Sequence, residues 1–261
     1  MNGVKPATAK EVSAAIANAS LDDIESICDR YKEDPRKQVQ NAVKSALRRL
    51  DKERSERARV QGMYDLQKEL AGSGIVVGVD EVGRGSIAGP LTVCALALPY
   101  DPIVWGINDS KQLTAAKREA LSEQILDVAL AVGICHISPA QIDKIGMGRA
   151  IKLAMAGAIE NTGIDPDAVI IDGNPVHAHP NEITVVKGDA KIASIAAASI
   201  VAKVTRDAMM IEADELYPEY HFASCKGYAS AEHIEAIGEY GLCELHRASF
   251  CGNFLKTPRL F

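Results

Sequence analysis

Two adjacent carboxylates, Asp80 and Glu81, leave an apolar run and enter a glycine-rich turn, Val82-Gly83-Arg84-Gly85-Ser86-Ile87-Ala88-Gly89-Pro90. Neighbouring carboxylates repel, and a charge held against a buried strand is tolerated only when it is paired or bound to a metal. A divalent cation would meet both demands. Gly83 and Gly85 add a second clue, because a residue without Cβ lets the backbone approach a phosphate or a sugar more closely than any other.

The sequence on either side differs in texture. Residues 1–71 show helical patterning and no strand signal: an Ala-rich stretch from Ala7 to Ser20, a second helix from about Leu21-Asp22-Asp23, and a long charged helix with Asp34 as its cap and Pro35 in its first turn. Ala71-Gly72-Ser73-Gly74 breaks this pattern and divides a helical extension, 1–71, from a second domain, 72–261. After the break, strands are expected at Ile75–Asp80, Leu91–Leu98, Leu130–Ile137, Ala168–Asp172 and Ile183–Val186, the first two antiparallel because their link is short. Helices are expected at Thr114–Ala129, at Pro139–Asn161 with a break at Gly146-Met147-Gly148, and at Ala190–Leu216, opened by Asp189. This order gives an α/β fold, a mixed five-stranded sheet flanked by helices.

Composition narrows the function classes. A length of 261 residues suffices for a large core plus an appendage. No apolar stretch approaches the roughly 18 residues of a membrane span, and Met1-Asn2-Gly3-Val4-Lys5 has no apolar signal segment, so a cytoplasmic protein without membrane association is expected. The six cysteines form no C-x-x-C pair and are expected as reduced, buried thiols. His177, His179, His221, His233 and His246 scatter without ligand spacing, and His136 is expected to be a packed strand residue. A net charge of −6 argues against nucleic-acid binding by bulk electrostatics. From Arg30 to Arg59, however, eleven basic residues face five acidic ones, a local +6 that leaves −12 for the remainder. The basic helix is a candidate nucleic-acid surface, though i,i+4 pairs such as Glu53 with Arg57 equally describe a solvated face.

Four carboxylates stand at element ends: Asp80 and Glu81 at the first strand, Asp172 at the fourth, and Asp189 before the long helix. Converging, they make an all-oxygen site suited to Mg²⁺ or Mn²⁺, and the absence of an accompanying histidine argues against zinc. Such a site can hold two ions for in-line phosphodiester displacement. Singly, each motif has a plainer reading: Asp189 as a helix cap, Asp172-Gly173-Asn174 as a turn, Gly83-Arg84-Gly85 as a tight connection.

In combination and order, the motifs resemble type 2 ribonuclease H, ribonuclease HII. They are Val79-Asp80-Glu81-Val82-Gly83-Arg84-Gly85, Asn108-Asp109-Ser110-Lys111-Gln112-Leu113, Ile171-Asp172-Gly173-Asn174, Val186-Lys187-Gly188-Asp189, the segment Ser194 to Asp207, Lys226-Gly227-Tyr228, and Leu245-His246-Arg247-Ala248-Ser249-Phe250. The resemblance implies a ribonuclease H-like fold and endonucleolytic cleavage of RNA in RNA/DNA hybrids and at single ribonucleotides in duplex DNA, leaving 3′-OH and 5′-phosphate ends. Such an activity serves ribonucleotide and RNA-primer removal. It further implies Asp80, Glu81, Asp172 and Asp189 as catalytic metal ligands, with Asp80 bridging two ions when substrate is bound. Gly83, Arg84 and Gly85 correspond to residues that read the ribose 2′-OH, and Tyr228 to the tyrosine that packs on the adjoining sugar. Lys111, Lys187 and Arg247 are the phosphate-contact candidates.

Departures from the family pattern are Ala229-Ser230 after the tyrosine and Ser86 where proline is frequent. Arg84 and the helical extension set the chain apart from ribonuclease HIII, whose N-terminal domain contains a sheet. The extension resembles the helical N-terminal region of some bacterial members, with a role in substrate binding. Leu260 and Phe261 at the end of Pro258-Arg259-Leu260-Phe261 are candidates for docking on a sliding clamp, and a monomer is expected. The alternatives are ribonuclease HIII-like hybrid specificity, an actin or sugar-kinase type ATPase, and a non-catalytic hybrid-binding module. No second glycine-rich phosphate segment supports the ATPase, and four intact carboxylates argue against the module.

Overall fold

The computed structural model describes residues 7–255 and divides into two compact units, residues up to Arg59 and residues from Val60. In the first unit, Thr8 and Glu11 form a reciprocal capping box that starts helix α1 (Ala9–Ala17). Its apolar stripe packs with those of α2 (Ile24–Tyr31) and the first half of α3 (Lys37–Ala71) around Ile16, Ile24, Val39 and Leu50. Asp34 does not cap α3. Its carboxylate takes the Arg36 N–H at 2.9 Å and the Arg36 guanidinium at 2.6 Å, and the helix begins at Lys37. Several basic residues here have structural partners: Arg49 donates to the carbonyls of Ala17 and Ala19 past the end of α1, Arg54 pairs with Glu25, and Arg57 pairs with Glu53 as the spacing anticipates.

The second unit takes in the last turns of α3, where Val60, Met63 and Tyr64 join the core of the sheet, so the structural division falls inside the helix and before the glycine break. The sheet has the order β3-β2-β1-β4-β5, built from β1 (Val76–Val82), β2 (Leu91–Ala97), β3 (Ala131–Ile137), β4 (Ala168–Asp172) and β5 (Glu182–Val185). The pairs β1–β2 and β2–β3 are antiparallel, and β1–β4 and β4–β5 parallel. The five expected strands, the antiparallel first pair and the mixed sheet are present, with strand ends displaced by a residue or two. Between the second and third strands lies α4 (Ala115–Val128), capped by Thr114. The break expected near Gly146 separates α5 (Pro139–Ile145) from α6 (Met147–Asn161).

Alternation puts two apolar sets on opposite faces of β1. Val77 and Val79 pack with Ile151, Met155 and Ile171 against α6. The other face receives α7 (Ala193–Leu216), whose Ala193, Ala196, Ala197 and Ala198 are fully buried. Small side chains let α7 approach the strand, and Gly78 marks the closest point: a Cβ there would collide with the backbone of Ser194 and Ile195. Beyond α7 the chain forms three shorter helices, α8 (Phe222–Cys225), α9 (Ala231–Tyr240) and α10 (Ala248–Cys251). Among the described residues, no helix is long and apolar enough to cross a membrane. Three cysteines (Cys28, Cys94, Cys251) are buried and the other three only half-buried, and all six are free thiols.

Gly78→Ala is expected to cost about 3 kcal/mol, since backbone rather than a flexible side chain blocks the new methyl. Urea denaturation would register this as a lower midpoint with an unchanged slope.

Candidate active site

The parallel β1–β4 register sets the site. Val79 pairs with Ile171, so Asp80 and Asp172, each one residue further on, come side by side at the strand ends. Glu81 follows Asp80 and points to the opposite face. Asp80 is only 7% exposed; its Oδ1 accepts the Glu81 N–H at 2.8 Å, and its carboxylate is also hydrogen-bonded by Ser199 of α7. Ser199 in turn lies 3.0 Å, Oγ to Oγ, from Ser110. Asp172 Oδ1 accepts the Gly188 N–H at 2.6 Å, which ties the end of β4 to the 3₁₀ turn Gly188–Ala190. Asp189 sits in that turn and is buried. It does not open α7 as the sequence pattern suggested: the helix starts at Ala193, and the turn holds the carboxylate ahead of it.

These groups feel one another. Burial, then the Glu81 and Asp172 charges, hold Asp80 well above the usual carboxylate range, with the Ser199 hydrogen bond opposing. Burial also raises Glu81, partly offset by Arg84, whose guanidinium stands 3.6 Å away. Asp189 is raised by burial and by Asp109 and Asp172, and lowered by Lys111. The cluster is an undercompensated set of hard oxygen donors, and this chemistry fits a divalent ion such as Mg²⁺ or Mn²⁺. Among the described residues, no three such side chains are already drawn together tightly enough to hold a metal ion, as expected where like charges stand apart. A cavity of about 260 Å³ opens beside the carboxylates, lined by Glu81, Arg84, Lys152, Asp172 and Asn174. A second cavity of about 570 Å³ lies at Arg118, Lys203, Asp207 and Lys226, where the cations are engaged: Lys203 with Asp207, Arg118 with the Ser110 and Leu113 carbonyls, Lys226 with the Ala223 carbonyl.

Next to the carboxylates, the Gly83–Gly89 loop is held from behind by two buried arginines. Gly83 has φ +85°, and a Cβ on it would run into the Arg206 guanidinium. Arg206 donates to the Pro90, Ala88 and Lys226 carbonyls and to Ser86 Oγ, over 2.8–3.0 Å. Arg247 donates to the carbonyls of Gly89, Ser86 and Arg84. Ile87 and Ala88 donate their N–H groups to Gly227, which joins the loop to the segment bearing Tyr228. Tyr228 is 39% exposed, with the Arg206 guanidinium 5.6 Å from its ring centroid.

Of the sequence candidates, Asp80 and Asp172 are neighbours across the β1–β4 pair, Glu81 and Asp189 lie close enough to feel the Asp172 charge, and Gly83, Arg84 and Gly85 lie in the adjoining loop, which Gly227 joins to the segment of Tyr228. Lys111, in the turn Ser110–Gln112, is exposed and close enough to act on Asp189; Lys187 is exposed immediately before the Gly188 turn. Arg247 does not fit a phosphate contact. It is fully buried, and loop carbonyls occupy its guanidinium. Arg206 was not singled out from sequence, although a cation between Ala202 and Met210 on the buried stripe of α7 was the available signal.

Residues 77–253 match the family model described as Ribonuclease HII, and residues 8–71 the model described as Ribonuclease HII N-terminal domain. The chain belongs to the ribonuclease HII family. A Ribonuclease HII of Lachnoclostridium phytofermentans is 45% identical over 227 residues, covering 86% of this chain and 89% of the relative. One from Geobacillus thermodenitrificans is 39% identical over 249 residues, covering 95% and 96%. Among solved structures, the ribonuclease H2 from Pyrococcus horikoshii OT3 superposes with a TM-score of 0.60 at 27% identity, covering 69% of this chain and 96% of that one. A ribonuclease HIII determined in complex with Mn²⁺ shares the fold, with a TM-score of 0.57 at 20% identity, covering 67% and 64%. The protein is a ribonuclease H enzyme, a metal-dependent endoribonuclease acting on RNA/DNA hybrids.

The two kinds of cation in this ribonuclease HII should separate cleanly. Arg247→Met is expected to lose at least ~2 kcal/mol of stability in urea, because loop carbonyls lose their donors. Lys111→Ala should stay within about 0.5 kcal/mol of the parent while flattening the slope of log KM against log salt by about one unit.

Proposed function

We propose that the enzyme cuts the phosphodiester on the 5′ side of a ribonucleotide, both in RNA/DNA hybrids and at single ribonucleotides embedded in duplex DNA, leaving 3′-OH and 5′-phosphate ends. The observation that carries this reading is the juxtaposition of four carboxylates, three of them with raised pKa, and a backbone loop clamped by Arg206 and Arg247. Asp80, Glu81, Asp172 and Asp189 would hold two divalent ions, Mg²⁺ or Mn²⁺, with substrate bound. Divalent ions neutralise charge that develops on a phosphodiester during in-line displacement.

The chain's own residues then bind and orient. Gly83, Arg84 and Gly85 read the 2′-OH through the backbone, the one group that separates RNA from DNA at a given nucleotide. Rigidity of the loop matters here, since a reader that flexed would accept a deoxyribose. Tyr228 offers its exposed ring to the adjoining sugar, and Lys111 and Lys187 contact phosphates. Arg84, itself in the loop, brings its guanidinium to 3.6 Å from the Glu81 carboxylate, so it couples the ribose to the carboxylate cluster. The first unit, with its local excess of positive charge, adds duplex affinity. The enzyme works as a cytoplasmic monomer in ribonucleotide and primer removal. A contact of Leu260 and Phe261 with a sliding clamp falls outside the described residues. A solved ribonuclease HII of Archaeoglobus fulgidus, 24% identical with a TM-score of 0.59 and covering 67% of this chain and 94% of that one, is in complex with PCNA.

An end-labelled duplex with one internal ribonucleotide, and its all-DNA twin, test the reading in Mg²⁺, Mn²⁺ and EDTA. Metal-dependent cutting 5′ to the ribonucleotide, with the DNA twin intact, is expected. Cleavage of a long hybrid alone would indicate ribonuclease HIII-like specificity, and silence on both a binding module. Asp80→Asn should lower kcat about a thousandfold or more while hybrid affinity is retained; turnover close to the parent would remove Asp80 from the metal site.

A further inference from the structure

Behind Tyr228, and away from the carboxylates, two buried histidines face each other. His233 of α9 and His246 lie with their Nε2 atoms 3.0 Å apart. His233 is fully buried and His246 5% exposed; Phe222 stacks edge-on to His233 at 5.3 Å and Tyr220 edge-on to His246 at 4.7 Å. Their outer nitrogens have partners of opposite kind. His233 Nδ1 is 2.8 Å from the Tyr228 carbonyl, which can only accept, whereas His246 Nδ1 is 3.0 Å from the Cys243 N–H, which can only donate.

These partners leave one consistent placement of protons. His233 carries its proton on Nδ1 and gives it to Tyr228; its bare Nε2 accepts from the Nε2–H of His246, whose bare Nδ1 accepts from Cys243. A further proton on either ring would set donor against donor. Burial agrees, keeping His233 below the usual range and pushing His246 down to about 4. Cys225 and Cys243 lie near the same rings, 3.6 Å and 3.2 Å from the outer Nδ1 atoms, so the four donors do not share a centre and do not describe a metal cage.

The relay joins two segments that shape the ribose face. One end is the backbone of Tyr228. The other is the Cys243–His246 turn, which continues into Arg247; Leu245 there accepts the Gly89 N–H at 2.8 Å, and Arg247 donates its own N–H to Ile87. We propose that His233 and His246 are positioning residues for ribonucleotide recognition, holding Tyr228 against the Gly83–Gly89 loop without touching substrate. The proposal rests on the reading of that loop and Tyr228 as the ribose face. Loss of the relay removes the side-chain hydrogen bond to the Tyr228 carbonyl and leaves the local backbone bonds to Cys225 and Ser230, which loosens Tyr228, and the effect falls on binding of the ribonucleotide rather than on the chemistry at the carboxylates.

Steady-state kinetics on the single-ribonucleotide duplex test this, using His233→Leu, which removes the donor, and His233→Asn, whose amide can keep the bond to the Tyr228 carbonyl. His233→Leu should raise KM about tenfold with kcat within about twofold, and His233→Asn should return most of the loss. An unchanged KM in the leucine variant, or a parallel loss in both variants, would overturn the proposal. Should the leucine variant not fold, long-range ¹H–¹⁵N spectra of the parent enzyme decide: Nδ1–H on His233 with Nε2–H on His246 supports the relay, and any other tautomer pair contradicts it. Tyr228→Ala with an unchanged KM would instead bring down the ribose-face reading, and the proposal with it.

Discussion

Repulsion among Asp80, Glu81, Asp172 and Asp189 is the constraint around which the second unit is organised. A folding chain avoids such a cluster unless its backbone leaves no choice, and here the β1–β4 register leaves none. Asp80 and Asp172 are neighbours because Val79 and Ile171 are, and those two are buried among the apolar residues beneath α6. Each buried aliphatic side chain is worth roughly 1.5–3 kcal/mol, so the sheet as a whole easily offsets the unfavourable charge at its end. Burial and neighbouring carboxylates keep the Asp80, Glu81 and Asp189 carboxyls above their usual range, which primes the site for a hard cation.

The substrate face depends on a second expenditure of the same kind. Two guanidinium groups are buried behind a loop of backbone carbonyls; among the described residues neither has a carboxylate within ion-pair distance, Asp207 and Asp143 acting only from further off, and hydrogen bonds to neutral oxygens hold them. Burial pulls Arg206 below the ordinary range and Arg247 down to about 10. Such an arrangement is justified by geometry, since planar five-donor groups can fix several carbonyls of one loop at once. The consequence is a preorganised Gly83–Gly89 backbone, connected through Gly227 to Tyr228.

The five strands, the antiparallel first pair, the helix break near Gly146 and the position of carboxylates at or beside strand ends were legible in sequence because each rests on local pattern. Periodicity marks strands, and turn residues mark their ends. What escaped were the features decided by tertiary partners. Asp34 was diverted from capping by the Arg36 guanidinium, and Asp189 was drawn into a turn by the bond between Gly188 and Asp172. Arg247, which has the composition of a phosphate ligand, faces inward because loop carbonyls converge on it. His233 and His246 look scattered along the chain, thirteen residues apart, and meet only in the folded protein. His136, expected to pack, is exposed on β3 with Nδ1 2.9 Å from the buried Thr92 hydroxyl.

If charge repulsion is what the carboxylate cluster stores, thermal unfolding of the enzyme and of Asp80→Asn, each with and without Mn²⁺ at neutral pH, measures it directly. A carboxylate whose folded pKa is raised costs stability above its unfolded pKa, so neutralising it should help. Asp80→Asn is expected to raise the metal-free Tm by at least ~2 °C and to gain less from Mn²⁺ than the parent does, as stored repulsion requires. A metal-free variant no more stable than the parent, with the full Mn²⁺ shift retained, would contradict it.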